Sequence, residues 1–233
     1  MLKQIEVWGD SILRGVYFNE TVGRYERLGE ASCTALVQKA LNVPLHNHAR
    51  FGMTSEKGRG AMAREIRESG PGTAALIGFG GNDIDFDWRA IAAAPRERHV
   101  PHTLPQRFRE NMAEMVALAR SKGLEPILMT LPPIDAHRYY NWVCRDIEQK
   151  ENVLLWLGDV QRIFRAHAAY NDIIVRLAAA SGCRLVDQRA AFLERGDYRG
   201  CLCADGIHPN AKGHELLAQT FLRYARENAQ HAS

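Results

Sequence analysis

Short apolar runs at residues 5–8, 43–48, 74–79, 126–130 and 184–186, with helix-patterned sequence between them, decide the fold class. Brief, largely unbroken apolar runs suit strands buried on both faces, the habit of parallel sheets. The intervening sequence supplies the crossovers that parallel strands need. Phe108, Met112, Met115, Val116 and Ala119 fall on one face of a helix. Leu217, Phe221 and Tyr224 repeat that spacing after a start at Pro209-Asn210. Ile173, Ile174, Leu177 and Ala178 do so before a stop at Ser181-Gly182. Residues 55–69 read as a shorter, more polar helix, weakened by Gly58 and Gly60. The pattern predicts a three-layer α/β/α fold around a roughly five-stranded parallel sheet.

Two stretches break this rhythm. Residues 84–105 hold Phe86, Trp88, several prolines and two histidines without a clean period. Residues 131–160 open on Leu131-Pro132-Pro133 and mix Tyr139, Tyr140, Trp142 and Trp156 with charges. Both follow a candidate strand, so both are expected at the carboxyl edge of the sheet, where α/β proteins place their sites. The sequence contains no internal repeat, low-complexity tract or linker, and residues 1–233 are read as one domain.

Composition narrows the partners. A 46% hydrophobic, 24% charged chain supports an ordinary core and excludes disorder and coiled coil. Thirty basic against 27 acidic residues leave +3, too little to argue for nucleic acid or an anionic membrane. No segment approaches the ~20 apolar residues of a membrane span, and the first residues lack a secretory pattern. Five scattered cysteines, an odd number, suit free thiols in a reducing compartment, so a cytoplasmic address is expected.

Four short stretches carry the chemistry: Gly9-Asp10-Ser11-Ile12, Gly52-Met53-Thr54-Ser55, Gly80-Gly81-Asn82-Asp83 and Asp205-Gly206-Ile207-His208-Pro209. The first three follow candidate strands, so a parallel sheet brings them to one edge. Together they offer a hydroxyl, an approachable backbone N–H, a side-chain amide and a carboxylate–imidazole pair. Serine needs an adjacent base to act as a nucleophile. His208 can be that base if Asp205 holds its other ring nitrogen. The Ser11 and Gly52 N–H groups and the Asn82 amide are candidate donors to an oxyanion. Asp10 and Asp83 are read as structural, and Cys201 and Cys203 as small side chains packing the last loop.

These blocks, in this order from residue 9 to residue 209, resemble those of the SGNH hydrolases, also called GDSL-type lipases and esterases. Ile12 stands where the family name expects Leu. The resemblance implies an SGNH, flavodoxin-like α/β fold. It assigns Ser11 as nucleophile, Asp205 and His208 as its partners, and Ser11, Gly52 and Asn82 as the oxyanion hole. It also implies a carboxylic ester hydrolase that takes a small-molecule ester and needs no cofactor.

Other chemistries fare worse. Residues 83–87 open like a calcium loop but have Trp88 and Ala94 where Gly and Glu are required. His46 with His48, and His99 with His102, lack a clear third zinc ligand, so no metal is expected. The G-x-S-x-G elbow, the dinucleotide fingerprint and the P-loop are absent. The expectation is therefore a serine esterase acting on a short-chain acyl ester. Two alternatives stand beside it: an acyltransferase on the same machinery, and an inactive carbohydrate-binding or scaffold protein. Trp88, Tyr139 and Trp142, interleaved with Arg89, Arg138 and Arg145, are expected to line the site and to favour a sugar or aryl alcohol.

Overall fold

The five apolar runs become five strands of one parallel sheet in the computed structural model, which describes residues 2–230. They are β1 (Gln4–Gly9), β4 (Leu45–Asn47), β5 (Thr73–Gly78), β6 (Glu125–Met129) and β7 (Arg184–Val186). Their spatial order is β4-β1-β5-β6-β7. Two further strands, β2 (Val16–Asn19) and β3 (Arg24–Arg27), form a separate antiparallel hairpin. In the sheet, the chain leaves β1 to one side for β4 and returns to its other side for β5. Open α/β sheets bind ligands in the crevice at such a reversal, beyond the carboxyl ends of the strands.

Each strand of the sheet interior feeds two cores. Trp8, Ala75, Ile77 and Leu128 pack under α2 (Ser55–Glu65), α5 (Pro105–Ser121) and α8 (Gln161–Ser181). Ile5, Val7, Leu76, Ile127 and Met129 pack on the opposite face against α1 (Cys33–Leu41), α9 (Gln188–Leu193) and α10 (Ala211–Gln230). The helical spacing read around Phe108, Ile174 and Phe221 therefore marks real buried faces. The sequence expectation overshoots at two places. The 43–48 run pairs only with β1 and stays partly exposed, so its ladder shortens to three residues. The helix begun at Ser55 ends at Glu65, where Ile66 turns to an extended conformation.

The two irregular stretches contain short helices: α4 (Trp88–Ala93) in the first, and α6 (Ala136–Val143) and α7 (Lys150–Leu157) in the second. Asp87 caps α4 by accepting from Ala90 N–H at 2.9 Å, and Asp135 caps α6 through His137 and Arg138 N–H at 3.1 Å. None is long enough to show a period. They bury their apolar residues against each other in a third core built on Trp88, Ile91, Ile134, Tyr139 and Val153. The stretches thus meet, and Asn152 Nδ2 donates to Ala92 O at 2.8 Å across the junction.

Loop placement at the sheet edge rests on a buried polar network. After β5 the chain enters α3 (Gly81–Ile84), whose fully buried Asp83 accepts from Ser55 N–H at 3.0 Å and Ser55 Oγ–H at 2.6 Å. Asn111 of α5 donates to the same Ser55 Oγ at 3.0 Å. Asp83 therefore fastens the loop after β5 to the start of α2. Its replacement by Ala leaves both Ser55 donors buried without an acceptor. Asp83→Ala is expected to lose about 1–3 kcal/mol of unfolding free energy in urea at unchanged m value; a loss below a few tenths would contradict this role.

Candidate active site

β1 ends where it must. A side chain at Gly9 would place its Cβ 2.8 Å from Gly78 O and 2.6 Å from Leu13 Cδ1, so the β1–β5 approach requires glycine there. The next residue turns the chain: Asp10 Oδ1 accepts from Ile12 N–H at 3.0 Å. Ser11 is left at the carboxyl end of β1, 6% exposed, in the wall of a cleft. Register puts Gly9 opposite Gly78, so the loop carrying Asn82 leaves at the same height. The loop after β4 joins them through Arg50 N–H, which donates to Gly9 O at 3.1 Å. Gly52 there has φ 69°, a left-handed backbone that favours glycine.

Asp205 and His208 arrive from the loop before α10. A Leu202–Pro209 bridge and the Cys203 N–H bond to His208 O (2.8 Å) tie that loop's ends. Cys201 and Cys203 are buried beneath it, as packing residues. His208 Nε2 lies 2.9 Å from Ser11 Oγ, and His208 Nδ1 lies 2.6 Å from Asp205 Oδ2. Asp205 Oδ1 accepts from the N–H groups of Ile207 (3.1 Å) and His208 (3.0 Å). Burial alone would push the Asp205 carboxyl up. His208 and the two N–H donors outweigh it, holding the group below the usual carboxylate range and ionised.

Gly52 and Asn82 line the same cleft as Ser11 and His208. Among the described residues, the backbone N–H groups of Ser11 and Gly52 donate to no protein acceptor. Asn82 Nδ2 donates to Met53 O at 3.2 Å, which fixes the amide and leaves its second hydrogen free. His102, on the backbone side, approaches Asn82 O at 3.1 Å through Nδ1.

A family model described as GDSL-like lipase/acylhydrolase matches residues 7–216. The chain belongs to this family. Among curated relatives, a GDSL esterase/lipase from Arabidopsis thaliana is 26% identical over 161 residues, 68% of this chain and 56% of that protein. The chain thus spans little more than half that relative's length. An uncharacterized lipoprotein from Bacillus subtilis is 28% identical over 192 residues, covering 76% of this chain and 71% of its own. In fold, a lipase/acylhydrolase from Enterococcus faecalis superposes with TM-score 0.68 at 22% identity, covering 97% of both chains. An acetylxylan esterase from Geobacillus stearothermophilus, solved as a catalytic mutant, gives 0.62 at 20%, covering 95% of this chain and 93% of its own.

Around these family blocks stand residues that sequence reasoning missed. Tyr25, on β3, donates its hydroxyl to Asp205 Oδ2 at 3.1 Å, the oxygen that also faces His208. Its ring centroid lies 5.0 Å from that of His208. Phe51, 58% exposed, stands beside Gly52 with its ring parallel to His208 at 6.2 Å. The charged hairpin around Tyr25 carried no recognisable motif, whereas Phe51 was legible as the neighbour of Gly52.

The aromatic residues divide. Trp88 and Tyr139 line the cleft, and both donate to Asp85 Oδ1 from opposite irregular stretches. Trp156 lines it too. Trp142 lies outside the cleft lining, edge-on to Phe18 of the hairpin at 4.4 Å, with Arg145 over its ring at 4.1 Å. Arg89, Arg138 and Arg145 are also outside that lining. Arg89 and Arg145 are exposed, and Arg138 donates to Arg199 O at 2.9 Å. The expectation that these three arginines line the site is thus corrected; the guanidinium in the lining belongs to Arg162, which lies over the Trp156 ring at 4.4 Å. The helices turn Arg89, Arg138 and Arg145 away, and Ile84, Leu131, Ile134, Leu157 and Ile163 face the cleft.

The residues considered for metals serve other partners. Asp83, Asp85 and Asp87 each hold different donors, as described. His46 and His48 both bond to Glu6, at 2.8 and 2.6 Å, and His99 Nε2 bonds to Ala94 O at 2.8 Å. Among the described residues, no group of three or more His, Cys, Asp or Glu is placed to hold a metal ion, and no helix is long and apolar enough to cross a membrane. All five cysteines are buried and unpaired.

Asp10 gives the site a measurable pH signature. Burial, with Asp83 adding negative charge, raises its carboxyl from 3.8 to about 6 despite the Ile12 N–H bond and His208. The folded chain therefore keeps a proton that the unfolded chain has released, and this group destabilises the fold progressively from about pH 4 to about pH 6. Asn keeps the acceptor for Ile12 and carries no charge. The melting temperature of Asp10→Asn relative to wild type is expected to rise across that window and to stay level above it. A difference that is independent of pH, or falls, would contradict the buried carboxyl.

Proposed function

We propose that this family member is a serine esterase, with one hydrolase domain acting on a small-molecule ester through Ser11, His208 and Asp205. The observation that carries the reading is the unbroken relay Asp205–His208–Ser11, with contacts of 2.6 and 2.9 Å, opening on a cleft with unused N–H donors. Ionised Asp205 accepts from His208 Nδ1–H, which leaves Nε2 to accept the Ser11 proton. Ser11 Oγ attacks the ester carbonyl. The oxygen that gains charge is met by Ser11 N–H, Gly52 N–H and the free hydrogen of Asn82 Nδ2. His208 then protonates the departing alcohol. Water, deprotonated by the same nitrogen, releases the acid from Ser11. Protein groups carry each proton transfer.

The cleft supports an assignment of the two halves of the substrate. Its walls of Ile84, Leu131, Ile134, Leu157 and Ile163, with Trp88, Tyr139 and Trp156, suit the acyl group. The exposed face of Phe51 and the adjacent Tyr25 form an aromatic mouth beside His208. A flat polar ring, such as a sugar or an aryl alcohol, fits that mouth better than a hydrocarbon chain. The acyl group is read as short.

Kinetics test the roles separately. Ser11→Ala and His208→Ala should each lower kcat by several orders of magnitude, and Asp205→Ala by less, since it orients the base. Asn82→Ala should cost about 10²–10³ in kcat with KM nearly unchanged, because its donor meets charge in the transition state. Tyr25→Phe removes one of several donors to Asp205 and should cost less than about tenfold. Ser11→Ala retaining more than about a tenth of wild-type activity would overturn the mechanism. Across p-nitrophenyl esters of increasing length, kcat/KM should fall beyond about four to six acyl carbons; a steady rise to long chains would replace the short acyl group with a lipid one.

A further inference from the structure

His167, in the second turn of α8, lines the same cleft and has no part in the relay. It is 5% exposed, and its Nδ1 lies 3.1 Å from an Nη of Arg189 on α9. A guanidinium can only donate, so Nδ1 must accept. Burial, reinforced by the positive charge of Arg189, pushes the imidazole down to about 3, so the ring is neutral near pH 7. A neutral ring that accepts at Nδ1 carries its proton on Nε2. Nε2 has no hydrogen-bond partner among the described residues.

Arg189 is as unusual as the histidine it fixes. It is 9% exposed, lies over the Phe164 ring at 4.9 Å and makes no salt bridge among the described residues. Its backbone N–H is pinned to Thr130 Oγ1 at 2.9 Å. Arg189 is partly desolvated, with Asp187 and Tyr198 offsetting some of that cost, and it spends one donor on a histidine that cannot charge, where an aliphatic pair would pack α8 on α9 at no such cost. The pair makes chemical sense if the donor it orients meets an acceptor when the cleft is filled.

We propose that His167 is a specificity-determining residue, and that its Nε2–H, held in that tautomer by Arg189, receives an oxygen on the acyl group of the substrate. The acyl group is then short but not a plain hydrocarbon: it carries a keto, hydroxyl or carboxylate oxygen within reach of α8. The positive charge behind the ring strengthens the donor toward any of these. This rests on the esterase reading, with the acyl group in the apolar part of the cleft, and refines what that part selects.

The test compares esters of similar shape in which a ketone oxygen is replaced by a methyl group. p-Nitrophenyl 4-oxopentanoate is matched with 4-methylpentanoate, and 5-oxohexanoate with 5-methylhexanoate, each rate divided by its own uncatalysed hydrolysis. Wild type should favour the oxo member of at least one pair by about tenfold in kcat/KM, the scale of one buried hydrogen bond gained against one donor left unmet. His167→Leu should bring that ratio to about one. The ratio is read within each protein, so a general loss of activity cancels. Ring ¹⁵N chemical shifts of wild type give a second reading that needs no variant, with Nε2 protonated and Nδ1 bare. Wild-type ratios near one in both pairs, a preference surviving in His167→Leu, or a proton on Nδ1 would each overturn the proposal. Failure of the esterase reading looks different, as p-nitrophenyl acetate would be left intact or its hydrolysis would survive Ser11→Ala.

Discussion

The close parallel pairing of β1 with β5 underlies the rest of the site. Gly9 opposite Gly78 brings two backbones together at a distance that no side chain tolerates, and both strands end at that level. The loops with Ser11 and Asn82 must therefore leave side by side, at the point where the strand order reverses. The Arg50–Gly9 bond draws in the loop with Gly52, and Asp83 locks that loop to the next through Ser55. Three of the four blocks are thus placed by backbone pairing together with the Asp83–Ser55 bonds. The fourth, with Asp205 and His208, comes from a loop closed on itself and held against α6 by Asp135 N–H to Gly206 O at 2.8 Å.

Around this frame the protein buries titratable groups whose desolvation has to be offset by specific partners. Asp10, Asp83, Asp205, His167 and Arg189 are each at most 9% exposed, all within or next to the cleft or its loops. Asp205 is compensated by His208 and two N–H donors, which hold it charged, and Tyr25 adds a hydrogen bond to the oxygen that faces His208. Asp10 is not fully compensated, and its raised carboxyl is the energetic trace of the tight turn that presents Ser11. The short helices α4, α6 and α7 complete the design by enclosing the cleft on an apolar core of their own. Apolar and aromatic residues make up most of the cleft's walls, and Phe51 stands exposed beside it.

Much of this was legible in the sequence. The buried strands of a parallel sheet are apolar on both faces, so β1, β5 and β6 stood out, and the three long helices declared themselves by period. The blocks around Ser11, Gly52, Asn82 and His208 were readable because each packs its chemistry into adjacent residues. Direction was not readable. Arg138 and Arg145 sit among aromatics in sequence, but helix caps and local bonds aim them away from the cleft, whereas the apolar residues of the same stretches face it. Tyr25 reaches Asp205 across 180 positions from a two-strand hairpin with no apolar run. His167 lies before the part of α8 whose period was legible, residues 173–178, and its meaning depends on Arg189, which approaches it from another helix.

The central claim is that Ser11 is the nucleophile activated by His208, and covalent trapping tests it most directly. Wild type treated with a fluorophosphonate should gain one phosphonyl group per chain, located by peptide mass mapping on Ser11, with labelling slowed at least a hundredfold in His208→Ala and abolished in Ser11→Ala. Labelling at another residue, or ester hydrolysis that continues in protein with Ser11 fully labelled, would contradict it.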